Sequence, residues 1–329
     1  NALRALGRIG VLEACLAAGF PIDEFEMSEA TGERIARIRL MRIADPELPA
    51  QNALPRPELH RVLTEAALAA GADIRFGASI ADMTDSGERV EVAFSDGEEG
   101  VFDLVVGADG IRSATRRRLF GMAHEPAFTG HGVWRFATER PPELDHQCMY
   151  YGVGVKAGLV PLGPTSMYLL LVSNEPDNPR MPEEQLPEIL SARLVQFTGG
   201  FIREPKNVLY QPIEEVILPA PWYRGRILLI GDAAHASSPH IAQGASMAIE
   251  DAVVLAELLA GEGEVGAVLP RFMARRHERC RFVQDTSRAV GADGNLEDPA
   301  ACAARNDRMR RAFASAEARP HETVLAAPI

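Results

Sequence analysis

The stretch "LLIGDAAHASSPHIAQGASMAIEDAVVLAELL", Leu228–Leu259, decides how this chain is read. It continues "RILLI" (226–230), an unbroken apolar run of the kind found in strands covered on both faces. Gly231-Asp232 ends the run. A helix opens at Gly244-Ala245, with Met247, Ile249, Val253 and Leu255 as its apolar face. In α/β sheets, ligands sit beyond the carboxyl ends of strands. A carboxylate there accepts hydrogen bonds from ligand hydroxyls, and the unpaired N–H groups of a helix start favour negative charge. Gly244 and Ala245 are small enough for a planar ligand to reach the backbone. Taken singly, Asp232 reads equally well as a turn cap and Gly244 as an ordinary helix start. The whole pattern from Gly231 to Ala252 is what points to a ligand.

A second bend supports it. "DLVVGADGIRSATRRRLF" (103–120) is another buried strand that ends in glycines and enters a helix. Gly107 and Gly110 permit a tight turn and close approach to a phosphate. Asp109 beside a pyrophosphate would repel it unless it binds hydroxyls or orders the turn, with Arg112 or Arg116 to offset the charge. The run Arg116-Arg117-Arg118 otherwise reads as a solvated helix face.

The rest of the chain sets bounds. Its 329 residues suit one large domain or two intimate ones. The net charge of −12 argues against nucleic acid or an anionic membrane as partner. Cys15, Cys148, Cys280 and Cys302 form no CxxC pair and no metal-ligand spacing, which suits free thiols in a reducing compartment and no bound metal. No apolar run reaches the roughly 18 residues of a membrane span, and no signal peptide is visible, so the cytoplasm is expected.

The organisation is α/β, with a β-rich module inserted. Leu3, Leu6, Ile9 and Leu12 recur at helical spacing from the first residues, so the sequence reads as starting in mid-domain. Strands are expected at 34–43, in "ADIRF" (72–76), in "RVEVAFS" and through "VFDLVVG". A helix is expected after Pro57, ending at Gly71. From 125 to 211 aromatics and strand-like runs dominate, with one helix near 183–197. The expected division is 1–124 with 212–290 as one discontinuous domain, 125–211 as the β-rich domain, and 291–329 as a helical tail that frays from about Ala318.

With both bends in view, a resemblance is plain. "VVGADGIRSATRRRLF" and "GDAAHASSPHIAQGASMAIEDA" resemble the DG and GD motifs of the class A flavoprotein monooxygenases, the single-component aromatic hydroxylases. "LPRPELHRVLTEAA" resembles the family's flavin-contacting R-x-x-L helix, and the resemblance covers nearly all of 1–290. The wording "PHIAQGASMAIEDA" most resembles members acting on hydroxylated pyridine, benzoate or purine-like rings. The resemblance implies a Rossmann-like FAD-binding domain carrying an inserted substrate domain. It also implies that the family's opening GxGxxG unit is missing, about 40–50 residues, so that this chain would bind FAD poorly.

The same resemblance implies the site. Arg56, Ile80, Asp109, Gly110, Asp232, Gly244 and Ala245 would serve FAD. Tyr168 and His240 would be catalytic. Lys156, Trp134, Tyr150, Pro239 and Gln243 would meet the substrate. NADH or NADPH would reduce FAD, O₂ would add at C4a, and the hydroperoxide would hydroxylate a small anionic aromatic or heteroaromatic ring. A homodimer is compatible with this reading. His235 is expected to be structural. The alternatives are a flavin-dependent reductase of isoprenoid lipids, which calls for a longer apolar tunnel, and a non-catalytic binding remnant.

Overall fold

The computed structural model describes residues 1–199, 205–261, 264–314 and 320–329. The helical pattern at the start forms two helices rather than one, α1 (Ala2–Arg8) and α2 (Leu12–Ala18). The break falls at Gly10, whose φ of 75° lies in the left-handed region that glycine tolerates. Strands β1 (Phe20–Ile22), β2 (Glu24–Glu29), β3 (Arg34–Arg39) and β4 (Gln51–Ala53) lead to α3 (Arg56–Ala69). As expected, Pro57 sits in the first turn of α3, and Gly71 follows it with φ 87°.

The expected strand at 72–76 is absent. Its backbone joins no ladder, and Ala72 N–H instead donates back to the Ala67 carbonyl. The strand that forms is β5 (Ile80–Asp85), which the sequence reading missed. It begins a three-stranded antiparallel meander with β6 (Val90–Phe94) and β7 (Glu99–Phe102). The run "VFDLVVG" divides between β7 and a separate strand, β8 (Val105–Gly107), followed by α4 (Ala114–Phe120).

Next come β9 (Ala127–Glu139), β10 (Gln147–Tyr151), β11 (Val155–Pro161), β12 (Ser166–Asn174), α5 (Leu186–Leu194) and β13 (Leu209–Glu215). They build a seven-stranded sheet in the order β13-β9-β12-β11-β10-β2-β3. The sheet therefore recruits β2 and β3 from well before residue 125, with β2 parallel to β10. One face packs on α5 through Trp134, Phe136, Leu169, Leu171, Leu190 and Leu194.

The chain then returns through β14 (Tyr223–Arg224) and β15 (Ile227–Leu229), where β15 lies parallel to β8. Short α6 (Asp232–His235), then α7 (Gly244–Ala260), α8 (Val265–Gly294), α9 (Pro299–Ala314) and α10 (Pro320–Ala326) complete it. The sequence predicts fraying from about Ala318; 318–319 lie outside the described residues, and 320–329 are held in place instead. Leu325 is buried, and the carbonyls of Leu325 and Ala326 accept from Arg4, which ties the end to α1. A closing turn with buried apolar contact and paired carbonyls has a reason to stay ordered.

Candidate functional site

The first bend lies where β15 ends. Ile227, Leu228 and Leu229 are buried, as an unbroken apolar run requires. Gly231 turns the chain with φ 57°, and Asp232 stands exposed with no hydrogen-bond partner among the described residues. Ala242 also adopts a left-handed φ of 53°, just before α7. No side chain caps α7, so the N–H groups at Gly244 and Ala245 stay open. Arg56, at the start of α3, is exposed and makes no ion pair among the described residues; its neighbour Glu58 pairs with Arg61 at 3.1 Å.

Behind this bend lies a network of charges that the sequence reading did not find. Gly231 N–H donates to Asp251 at 2.9 Å. Asp251 also meets His235 Nε2 and Arg276 Nε, each at 2.7 Å, and Arg276 reaches Glu250 at 2.7 Å. Asp251, Glu250 and Arg276 are all 0% exposed. Burial alone would lower the His235 pKa, but the Cys280 and Asp251 charges beside it raise it well above the ordinary value. His235 is thus structural, as expected.

The second bend is built differently. Asp109 accepts from Ser113 Oγ at 2.5 Å and from the Thr115 N–H and Oγ1 at 2.9 and 3.0 Å. Burial raises its pKa, the three bonds outweigh burial, and the carboxyl lies below its ordinary value. Asp109 therefore orders the turn, while Gly110 takes φ 76°. Against the expectation of a solvated face, Arg116 is fully buried. It donates to Ile111, His124 and Ala233 carbonyls and so fastens this bend to α6. Arg112 pairs with Glu214 instead, while Arg116 lies close enough to Asp109 for their charges to attract.

The face of the large sheet opposite α5 carries the third group. Lys156 on β11 pairs in register with Val172, and Tyr168 on β12 pairs with Val160 and Ala137, so both side chains leave on this face. Lys156 is 2% exposed, with the Val290 carbonyl at 3.5 Å. Burial, with Arg305 nearby, lowers its pKa to about 8. Burial raises that of Tyr168, against Arg135. His240 comes in from the first bend. Burial, helped by Lys156 and His131, lowers its pKa to about 2, and its Nδ1 has no partner among the described residues. A cavity of about 540 Å³ opens beside it, lined by Phe128, His131, Glu215, Ser238 and Arg288 among others.

Two expected substrate residues lie elsewhere. Trp134 and Tyr150 occupy the α5 face, in register with Leu171 and Ala157, and are buried in that core. Trp134 donates to Ser173 Oγ at 2.9 Å. Alternation along a strand sends neighbours to opposite faces, and these two fall on the far one. Pro239 is exposed at the bend, and Gln243 keeps a buried Oε1 without a partner among the described residues. Ile80 opens β5 and packs partly on the core near Val90 and Val92. The sequence reading missed Arg135, which shares the face of Tyr168; a lone charge in the apolar run "GVWRFA" was its signal. Among the described residues, two groups bring metal-ligating atoms within 4.8 Å, Glu26–His146–Cys148 and His235–Asp251–Cys280. In each, arginines already face the carboxylate.

These residues fit FAD. An unpaired carboxylate and an uncapped helix start stand at one strand end, a glycine turn stands at its parallel neighbour, and Arg56 is unpaired. The comparisons give the class, the flavin-dependent oxygenases. The FAD binding domain family matches residues 1–288, and the chain belongs to it as an FAD-dependent monooxygenase. It is 34% identical over 292 residues to 2-heptyl-3-hydroxy-4(1H)-quinolone synthase of Pseudomonas aeruginosa, covering 83% of this chain and 72% of that one. It is 31% identical over 304 residues to 3-hydroxybenzoate 6-hydroxylase 1 of Aquipseudomonas alcaligenes, covering 88% and 76%. The fold matches Klebsiella pneumoniae HpxO, solved with FAD and uric acid, with TM-score 0.85 at 23% identity, covering 99% of this chain and 86% of that one. No helix among the described residues is long and apolar enough to cross a membrane.

Proposed function

We propose that this protein uses FAD and NADH or NADPH to hydroxylate a hydroxylated, anionic aromatic or heteroaromatic ring. One observation carries the reading: buried Lys156 and half-buried Tyr168 share a sheet face, and His240 joins them from the first bend. Bound FAD, once reduced, supplies the activation of O₂ that delivers one oxygen atom to the ring. Asp232, Arg56 and the open amides of α7 would hold it, and the helix start would favour negative charge on the reduced flavin.

The chain's own residues have separable tasks. At a pKa of about 8, Lys156 keeps its proton at neutral pH and neutralises an anionic substituent. Tyr168, its pKa raised, stays a phenol and donates a hydrogen bond to a ring oxygen rather than acting as phenolate. His240, with its low pKa, is neutral; its free nitrogen accepts from a ring hydroxyl and leaves electron density on the ring. The apolar faces around them exclude water.

The test is substrate-stimulated NADH and NADPH oxidation by the FAD-loaded protein. The panel is 3-hydroxybenzoate, 6-hydroxynicotinate, urate and a 2-alkyl-4-quinolone. At least one ring should accelerate oxidation and gain a single oxygen from labelled O₂. If none does either, the hydroxylase assignment fails. A second reading, a fused heteroaromatic ring with an apolar arm, draws on the cavity beside His240, which holds more than one ring's volume. Preference for the quinolone in the panel would favour it.

A further inference from the structure

Helix α8 ends in "GADG", Gly291–Gly294, and its two glycines are three residues apart on one helical face. Glycine weakens a helix relative to alanine, so two in one buried turn need a reason. Side chains supply it. A Cβ at Gly291 would lie 2.4 Å from both Cδ2 and Nε2 of His240. A Cβ at Gly294 would lie 2.8 Å from Nζ and 2.9 Å from Cδ of Lys156. The space that each glycine leaves is filled by one of the two polar groups that converge on the sheet face.

The turn itself is pinned. Arg305, 1% exposed, donates to the carbonyls of Asp293 and Gly294 at 3.3 and 3.4 Å. Asn295 donates to the Val172 carbonyl at 3.3 Å and to Asn174 at 3.2 Å, which fastens the end of α8 to β12. With the helix end held on both sides, an added methyl group cannot be absorbed by moving the backbone. The imidazole or the ammonium must move instead.

We propose that Gly291 and Gly294 are positioning residues, seating His240 and Lys156 respectively against the substrate ring. The inference rests on the function proposed above for those two side chains. Each glycine acts through its own neighbour, so the pair sets two contacts independently. A bulkier residue at Gly291 would cost the hydrogen bond to the ring, and one at Gly294 would cost the anchoring of the anionic group.

The test uses the FAD-loaded full chain with Gly291→Ala and Gly294→Ala, and first requires no substrate. Ring resonances of His240 and the side-chain resonances of Lys156 are followed against pH. Gly291→Ala should shift the His240 signals and leave those of Lys156 in place. Gly294→Ala should return the Lys156 titration from about 8 toward the ordinary 10.5 and leave His240 unmoved. Unchanged signals, or equal changes at both residues in both variants, would overturn the proposal. If one variant fails to fold, the other decides alone. Kinetics with the active ring from the panel separate the two ideas. Gly294→Ala should raise KM at least tenfold, with the added effect falling below twofold in a Lys156→Met background. Selective resonance shifts without a kinetic effect of His240→Ala or Lys156→Met would leave the positioning intact and sink the substrate reading instead.

Discussion

Two buried polar regions flank the first bend, and they treat charge in opposite ways. Behind it, Asp251, Glu250 and Arg276 are fully buried, and each charge is answered at 2.7 Å. In front of it, among the described residues, Lys156 is 2% exposed with only a carbonyl at 3.5 Å, and His240 keeps a free nitrogen. Burying a charge is costly unless it is paired. The paired set fixes the backbone that carries Asp232 and the start of α7. In the function proposed above, the unpaired set would meet a ligand that brings the missing partner.

The contrast can be broken by removing one member from each set. Arg276→Met takes one partner from each of two buried carboxylates, leaving Asp251 with His235 and Glu250 with Arg279, and should destabilise the protein by about 3 kcal/mol, read by urea unfolding. Loss of less than about 1 kcal/mol would mean that the network is not scaffolding. Lys156→Met should do the reverse. The folded pKa of Lys156, about 8, lies below its ordinary 10.5. The unfolded chain therefore binds the extra proton between these values, and stability should rise with pH across that window. Below it the buried ammonium costs on the order of 3 kcal/mol. Lys156→Met should be more stable than the parent at pH 7, flat from pH 8 to 10, and at least tenfold poorer in kcat/KM.

Smaller effects sharpen the same contrast. Asp232→Asn removes a charge that no described residue uses. It should weaken FAD binding about tenfold, measured by flavin fluorescence, and leave the melting temperature of the flavin-free protein unchanged. A fall in that temperature would place Asp232 in the scaffold. Trp134→Phe loses one buried hydrogen bond and should cost about 1 kcal/mol with KM unchanged within twofold. A large rise in KM would return Trp134 to the substrate side.

Much of the fold was legible because its signals are local. The run before Gly231 and the apolar face of α7 follow from periodicity and turn residues, whereas the hairpin of β11 and β12 was not foreseen. That hairpin puts Lys156 and Tyr168 on one face, since its short connection fixes the register. Trp134 and Tyr150 sit on other strands, and nothing local relates their alternation to that of Lys156. Arg116 defeats local reading for a similar reason: of three consecutive arginines, only the phase set by the Ser113 cap decides which one points inward. The missing strand at 72–76 shows the limit from the other side. Alternation makes a strand possible, but a neighbouring strand must be there to pair with it.

The sequence by itself determined the family, the two glycine bends at strand ends, the open helix start after the first bend, and the residues at that bend. These depend on short spacings that any fold of the chain must honour. Only the tertiary structure decided which buried charges are paired. It brought Arg276 to Asp251 from another helix, moved Trp134 and Tyr150 into the α5 core, and set Gly291 and Gly294 beneath His240 and Lys156. Those outcomes depend on register between strands and on the approach of helices far apart in sequence. There, physical contact rather than local pattern separates a scaffold charge from a working one.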